Sequence, residues 1–257
     1  MSNIRKKSLS RVARRHRERQ VRRLGLEALE RRDCPAVMFE FGGGVLSITG
    51  DEGPNVIEIV QRPDGTVSVL GDGERRTFDG VDRIFARTGD GDDQFSGKII
   101  LWVRDARHSD TVPFILDLDT GAGNDTIRID DNRGDGEPAR RRNLLTTHSM
   151  DLKVDLGSGV DEFFMQLDDH KQVDLDLDLT AEDGNEKILI GMLLPAIQKV
   201  REAAARIEMN LGGGDNEVSI HVDGFDQVEL DLSAVDGGNR YAVDPGLRGL
   251  STAASGP

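Results

Sequence analysis

A short glycine-rich phrase recurs along this chain, and every copy stands between two runs in which apolar and polar residues alternate. TGDGDDQF (88–95), TGAGNDTI (120–127) and LGSGVDEF (156–163) align without gaps. LGGGDNEV (211–218) keeps the pattern with Asn216 at the Asp position, and TGDEGPNVI (49–57) and TAEDGNEKI (180–188) fit with one extra residue. VDGGNRYA (235–242) is a degenerate last copy. The second glycines are Gly53, Gly91, Gly123, Gly159, Gly184, Gly214 and Gly238, separated by 38, 32, 36, 25, 30 and 24 residues. A phrase that returns at varying intervals, always between the same kinds of neighbour, marks one supersecondary unit used repeatedly.

The flanking runs have the period of two that belongs to half-buried strands. VLSITG (45–50) precedes NVIEIV (55–60), and FILDLD (114–119) precedes TIRID (126–130). DLKVDL (151–156) precedes EFFMQL (162–167), and VDLDLDL (173–179) precedes KILIGM (187–192). IEMNL (207–211) precedes EVSIHV (217–222), and VELDLS (228–233) precedes RYAV (240–243). Glycine permits the positive φ that a tight bend needs, and a short Asp or Asn side chain can cap amides two residues on. One such unit cannot bury its single apolar face, whereas stacked units bury a continuous Val, Ile and Leu core. The expected fold is therefore all-β, a β-solenoid or β-helix-like stack of strand-turn-strand repeats. A β-sandwich of hairpins is the alternative, since Gly-Asp and Gly-Asn turns also join antiparallel strands.

One segment carries a helical period. LLPAIQKVREAAARIE (193–208) is rich in Ala, Glu, Lys and Arg, Pro195 suits a first helical turn, and Ile197, Val200, Ala204 and Ile207 share a helix face. A short inserted helix is expected at about 193–206, covering a sheet edge or face.

Composition narrows the function classes. Aromatics are only 4% of the chain, with one Trp and one Tyr, which leaves little for stacking sugars or bases. A single Cys excludes an internal disulfide and a Cys-based zinc site. The longest apolar run, 188–197, is about half of a bilayer-spanning helix, so no transmembrane segment is expected. Charge is split: residues 1–32 hold twelve Lys and Arg against Glu18, Glu27 and Glu30, while the rest of the chain is strongly acidic, giving −14 in all. An acidic body repels nucleic acid and attracts cations, so no specific nucleic-acid partner is expected. The organisation expected is a basic arm over 1–36, largely disordered or helical, a repeat β domain over 37–245 and a disordered tail over 246–257. Residues 131–149, rich in Gly, Pro and Arg, read as a long connector.

Three resemblances add to this reading. Arg22-Arg23-Leu24 followed by LEALERRDCPA (26–36) resembles the leader of planctomycete surface and exported proteins. It implies an extracellular or cell-surface location, with cell-envelope or matrix components as partners, although no standard signal peptide stretch is present. ILIGMLLPAIQKVREAAAR (188–206) is similar to part of the N-terminal helix of prepilin-like proteins; its mid-chain position and missing peptidase site give no pilin function. The turns resemble haemolysin-type (RTX) calcium-binding repeats. That resemblance implies calcium as the cofactor, with Asp93, Asp125, Asp161 and, after a one-residue shift, Glu186 as metal ligands; Asn55, Asn216 and Arg240 stand at the same position in other copies. The turns return far less often than the nine-residue period of that family.

Physics leaves two roles open for these carboxylates. Stacked neighbours lie about 4.8 Å apart, where two ionised carboxylates repel by about 3–4 kcal/mol at an effective dielectric near 20. Either a cation neutralises them, or they act as turn caps that splay into solvent. Catalysis has less support. His16, His108, His148, His170 and His221 are scattered, with neither a nucleophile nor metal-ligand spacing around them, and there is no phosphate loop or nucleophile elbow. The expected function is a non-catalytic secreted or cell-surface β-repeat protein whose Gly/Asp turns bind calcium. A polysaccharide lyase or hydrolase on a β-helix is the alternative. It would use carboxylates such as Asp174, Asp176 and Asp178, which also fit the solvated face of a half-buried strand.

Overall fold

The computed structural model describes residues 36–62, 66–99, 114–131, 148–168, 173–193, 204–223, 225, 227–235 and 237–243. All lie in the compact unit Pro35–Pro257. Residues 1–35 of the basic arm, the tail 246–257 and most of the long connector fall outside the described residues.

The described chain is built of strands. The first seven are β1 (Met38–Gly42), β2 (Val45–Thr49), β3 (Val56–Gln61), β4 (Val67–Gly71), β5 (Glu74–Phe78), β6 (Arg83–Arg87) and β7 (Gln94–Ile99). Next come β8 (Phe114–Asp119), the two-residue β9 (Ala122–Gly123), β10 (Thr126–Asp131), β11 (His148–Asp155), the two-residue β12 (Ser158–Gly159) and β13 (Glu162–Asp168). Last are β14 (Val173–Thr180), β15 (Lys187–Leu193), β16 (Ala204–Leu211), β17 (Glu217–Asp223), β18 (Gln227–Ala234) and β19 (Arg240–Val243).

They form two large sheets. One has eight strands in the order β1-β2-β6-β8-β11-β14-β16-β18, the other nine in the order β19-β17-β15-β13-β10-β7-β3-β4-β5. From β6 onward the chain alternates between them, so the two strands flanking a repeat turn never pair with each other. Each pairs instead with its equivalents in neighbouring repeats, in parallel. A sandwich of hairpins is thereby excluded for the repeats. Among the described residues, antiparallel pairing is confined to β1–β2 and to the meander β3–β4–β5.

The alternation along each strand decides what goes inside. On the eight-stranded sheet, Leu46, Ile84, Leu116, Leu152, Leu177, Ile207 and Leu230 are in register and buried. On the nine-stranded sheet, Ile57, Phe95, Ile127, Phe163, Ile188 and Val218 form the corresponding buried column. Both columns belong to one contiguous core. An apolar residue repeated at each register position fills its layer like its neighbours, so the core grows by copying.

The inserted helix is not seen. Leu193 ends β15 and residues 204–208 belong to β16; 194–203 lie outside the described residues. Two periods overlap in this segment. The helical stripe includes Ala204 and Ile207, but Ala205, Ile207, Met209 and Leu211 also alternate, and all four are buried in the core. Parallel pairing with β14 on one side and β18 on the other rewards the period of two, and packing overrides local helix propensity. No helix long and apolar enough to cross a membrane occurs among the described residues.

Candidate functional site

The repeat turns stack into a column. Gly159 is in register with Gly123 through the β9–β12 pairing and bridges to Gly184 on its other side. The Gly91 N–H donates to the Ala122 carbonyl at 2.7 Å, and the Gly184 N–H to the Gly213 carbonyl at 2.9 Å. Only glycine fits this packing. A Cβ on Gly159, whose φ is 149°, would run into the Gly123 carbonyl oxygen, and one on Gly214 into that of Gly184. The close approach of one backbone to the next explains the glycines as much as φ does.

Beside the glycines runs a second column made of Asn55, Asp93, Asp125, Asp161, Glu186 and Asn216. Each is at most 1% exposed. The side chains of Asp93, Asp125, Asp161 and Asn216 reach across to the preceding repeat, whereas Asn55 Oδ1 accepts the Asp51 N–H of its own turn. The Asn55 N–H donates to Asp93 Oδ1 at 2.7 Å, the Asp93 N–H to Asp125 Oδ1 at 2.8 Å, and the Asp125 N–H to Asp161 Oδ1 at 2.8 Å. The Glu186 N–H donates to Asn216 Oδ1 at 2.9 Å, and the Asn216 N–H to Asn239 Oδ1 at 3.1 Å. Each amide in this series is capped by the side chain of the following repeat. The carboxylates therefore neither splay into solvent nor cap amides two residues on in their own turn.

An exposed ladder runs beside it with the opposite polarity. The Asn124 N–H donates to Asp92 Oδ1 at 2.9 Å, the Val160 N–H to Asn124 Oδ1 at 3.1 Å and the Asp215 N–H to Asn185 Oδ1 at 2.9 Å. Here the preceding repeat caps the following one.

Two threonines that sequence reasoning passed over complete the buried side. Thr88 and Thr120 are fully buried at the entry to their turns. The Thr88 hydroxyl donates to the Thr120 carbonyl at 3.0 Å, and the Thr120 hydroxyl to the Leu156 carbonyl at 3.0 Å. Their signal was the Thr-Gly pair that opens three of the copies.

The electrostatics of the buried column follow from its dryness. Burial pushes the Asp93 carboxyl above its ordinary value, while the Thr88 hydroxyl and the Asn55 amide pull it back. Burial pushes Asp125 up to about 6, against the opposing pull of the Asp93 amide and Thr120, with Asp161 and Asp93 adding to the rise. Asp161 is raised by burial against the pull of the Asp125 amide. Glu186 is raised to about 7, from burial first, with Asp161 and Asp183 contributing. Asp93 Oδ2, Asp125 Oδ2, Asp161 Oδ2 and both carboxylate oxygens of Glu186 are buried without a hydrogen-bond partner.

The structure thus brings Asp93, Asp125, Asp161 and Glu186 into one column, as the glycine spacing anticipated. As a calcium site the donor set falls short. Calcium takes six to eight oxygens, yet the three aspartates each have one oxygen committed to an N–H. No group of three or more His, Cys, Asp or Glu close enough to hold a metal occurs among the described residues. What the column offers is a series of polar atoms each short of one partner.

The other sequence candidates lie elsewhere. Asp174, Asp176 and Asp178 alternate with the buried Leu175, Leu177 and Leu179 along β14. Asp174 Oδ1 accepts the Ala204 N–H at 3.4 Å, and Asp176 Oδ1 pairs with Arg206 at 3.1 Å. His221 is on the exposed face of β17, whereas His16, His108, His170 and Trp102 fall outside the described residues. No family model, no curated protein and no solved structure matches this chain.

Proposed function

We propose that this chain is a non-catalytic β-solenoid scaffold, exported to the cell surface or beyond, whose glycine turns are structural staples. The observation that carries the reading is the buried column, in which Asp93, Asp125, Asp161 and Asn216 each spend a side-chain oxygen on capping the amide of the preceding repeat. A buried N–H left without a partner costs about 1–3 kcal/mol, so each such cap is worth keeping for stability alone. The alternation of the chain between two mainly parallel sheets supports the solenoid, since among the described residues each repeat strand pairs with strands of adjacent repeats. The leader resemblance over residues 22–36 supports the location.

The test is thermal melting of the full chain with calcium and with excess chelator. A staple made of protein groups gives the same Tm in both. A Tm that climbs with calcium, and returns to its starting value with chelator, would replace the scaffold reading with the calcium-binding one at Asp93, Asp125, Asp161 and Glu186.

A further inference from the structure

We propose that the β18 edge of the stack is a docking edge, which takes an extended segment of a partner protein whose residues alternate between apolar and basic. That segment adds one strand beside β18, with its apolar side chains over the core and its cations beside Glu229 and Asp231. The proposal goes beyond the scaffold reading and concerns the sheets rather than the turns, so it does not depend on whether calcium binds.

The two ends of the stack are finished differently. At one end the last strands are β1 and β5, both short. Phe78 closes the gap between them: its ring lies 6.5 Å from Phe39 and 5.5 Å from Phe41, and Arg76 lies over Phe39. Short edge strands bearing charge discourage further pairing. At the other end the last strands are β18 and β19. β18 is longer and strictly alternating from Gln227 to Leu232, and no described strand pairs with its far side. Tyr241 continues the column of Val218 but is 43% exposed, where Val218 is 1%.

The backbone of β18 is set for a further partner. The Val235 N–H, just past β18, donates to the Leu211 carbonyl of β16 at 3.1 Å. Successive residues of a strand turn their N–H and C=O groups to opposite sides. Those of Val228, Leu230 and Leu232 therefore face away from β16, along the open edge.

Charge selects the occupant. On the outward face of the eight-stranded sheet, Asp176, Arg206 and Glu229 are register neighbours, in the order acid, base, acid. The next place in that row suits a base. In the adjacent row Asp178, Glu208 and Asp231 are neighbours, and Asp231 has no ion-pair partner among the described residues. Arg206 is already held by Asp176 and Glu208. Opposite charges facing each other across strands stabilise a pair, and like charges destabilise it.

A second copy fits this edge poorly. Antiparallel pairing of β18 with its own copy about Glu229, Leu230 or Asp231 sets acid against acid. β1 of another copy offers Glu40 as its sole charge. Nor do residues 246–257 alternate: Leu247 and Leu250 would fall on opposite faces of a strand, and Arg248 is the sole cation there.

The test uses the full chain and a synthetic peptide of alternating Val and Lys, as long as β18, with a Val–Glu peptide as its counterpart. Hydrogen exchange followed by NMR reads the amides of Val228, Leu230 and Leu232. These should exchange fast in the free chain, and about tenfold more slowly with the Val–Lys peptide at about ten times its Kd. The Val–Glu peptide should give no protection, and Glu229→Lys combined with Asp231→Lys should reverse the preference. Slow exchange in the free monomer overturns the proposal, because the chain then covers its own edge. Protection that grows with chain concentration alone overturns it in favour of a second copy. Binding of the Val–Lys peptide without protection of these amides overturns it in favour of unspecific attraction to a chain of net charge −14. An unchanged preference in the double variant overturns it as well. If that variant does not fold, wild-type exchange with the two peptides decides alone.

Discussion

The chain uses glycine with aspartate to reverse its direction in two ways, and the two lead to different regions of the molecule. In the first region, Gly43-Gly44 joins β1 to β2 and Asp72-Gly73 joins β4 to β5. All four residues have positive φ, from 44° to 90°. Two-residue loops of this kind match the twist of paired strands and return the chain within the same sheet. In the second region, longer turns carry the chain from one sheet to the other, and their acidic residue ends up inside. Asp72 remains in the turn, where its carboxylate accepts the Val56 N–H at 2.9 Å. Asp93, Asp125 and Asp161 are buried and act between repeats. Residue type alone does not decide whether an aspartate is a turn former or a core group. The number of residues in the loop decides it, because that number sets which backbone lies next to the side chain.

Four substitutions break or sharpen this contrast. Gly159→Val should have the largest effect. The new side chain has no space against the Gly123 carbonyl, and φ is unfavourable for a β-branched residue. The expected cost is about 3 kcal/mol or more, with loss of cooperative melting. Asp125→Leu comes next. It leaves the buried Asp93 amide without its acceptor and should cost about 1–3 kcal/mol in denaturant titrations. Asp125→Asn keeps the acceptor and should stay within about 1 kcal/mol of wild type. It should also flatten the pH profile between the ordinary Asp value of 3.8 and about 6, where the folded chain otherwise holds the extra proton and loses stability as pH rises. Gly73→Ala, in the hairpin, should matter least. Nothing lies within 4 Å of the added methyl, so only the left-handed backbone at φ 90° resists it, at about 1 kcal/mol. If Gly73→Ala cost as much as Gly159→Val, the distinction between the two turn types would fail.

Much of this was legible in the sequence, for identifiable reasons. The strands around the repeat turns follow from a strict alternation that only a half-buried strand explains, as in VDLDLDL of β14. The glycine column was legible despite intervals of 24–38 residues, because spare residues fall in the connectors rather than the turns. The partner of each carboxylate was not legible. A sequence records that Asp125 is near its own turn, whereas the amide it caps is Asp93, thirty-two residues earlier and adjacent only after stacking. The burial of the column was hidden for the same reason. Of the helix expected at 193–206, residues 204–206 instead gained strand partners that local propensity does not register, and 194–203 lie outside the described residues. The meander β3–β4–β5, which turns at Asp72-Gly73, lies outside the repeat phrase and was not read from the sequence.

The direction of the buried caps has a mechanical and biosynthetic consequence. Since the amides of Asn55, Asp93 and Asp125 are each completed by a side chain that follows them in the chain, each of these three repeats is finished only when the next has been made. The hairpin region becomes the seed, and the most recent repeat is always the unfinished one. Pulled from its carboxyl terminus, the molecule should yield one repeat at a time, like a zip opened from the end where it was last closed.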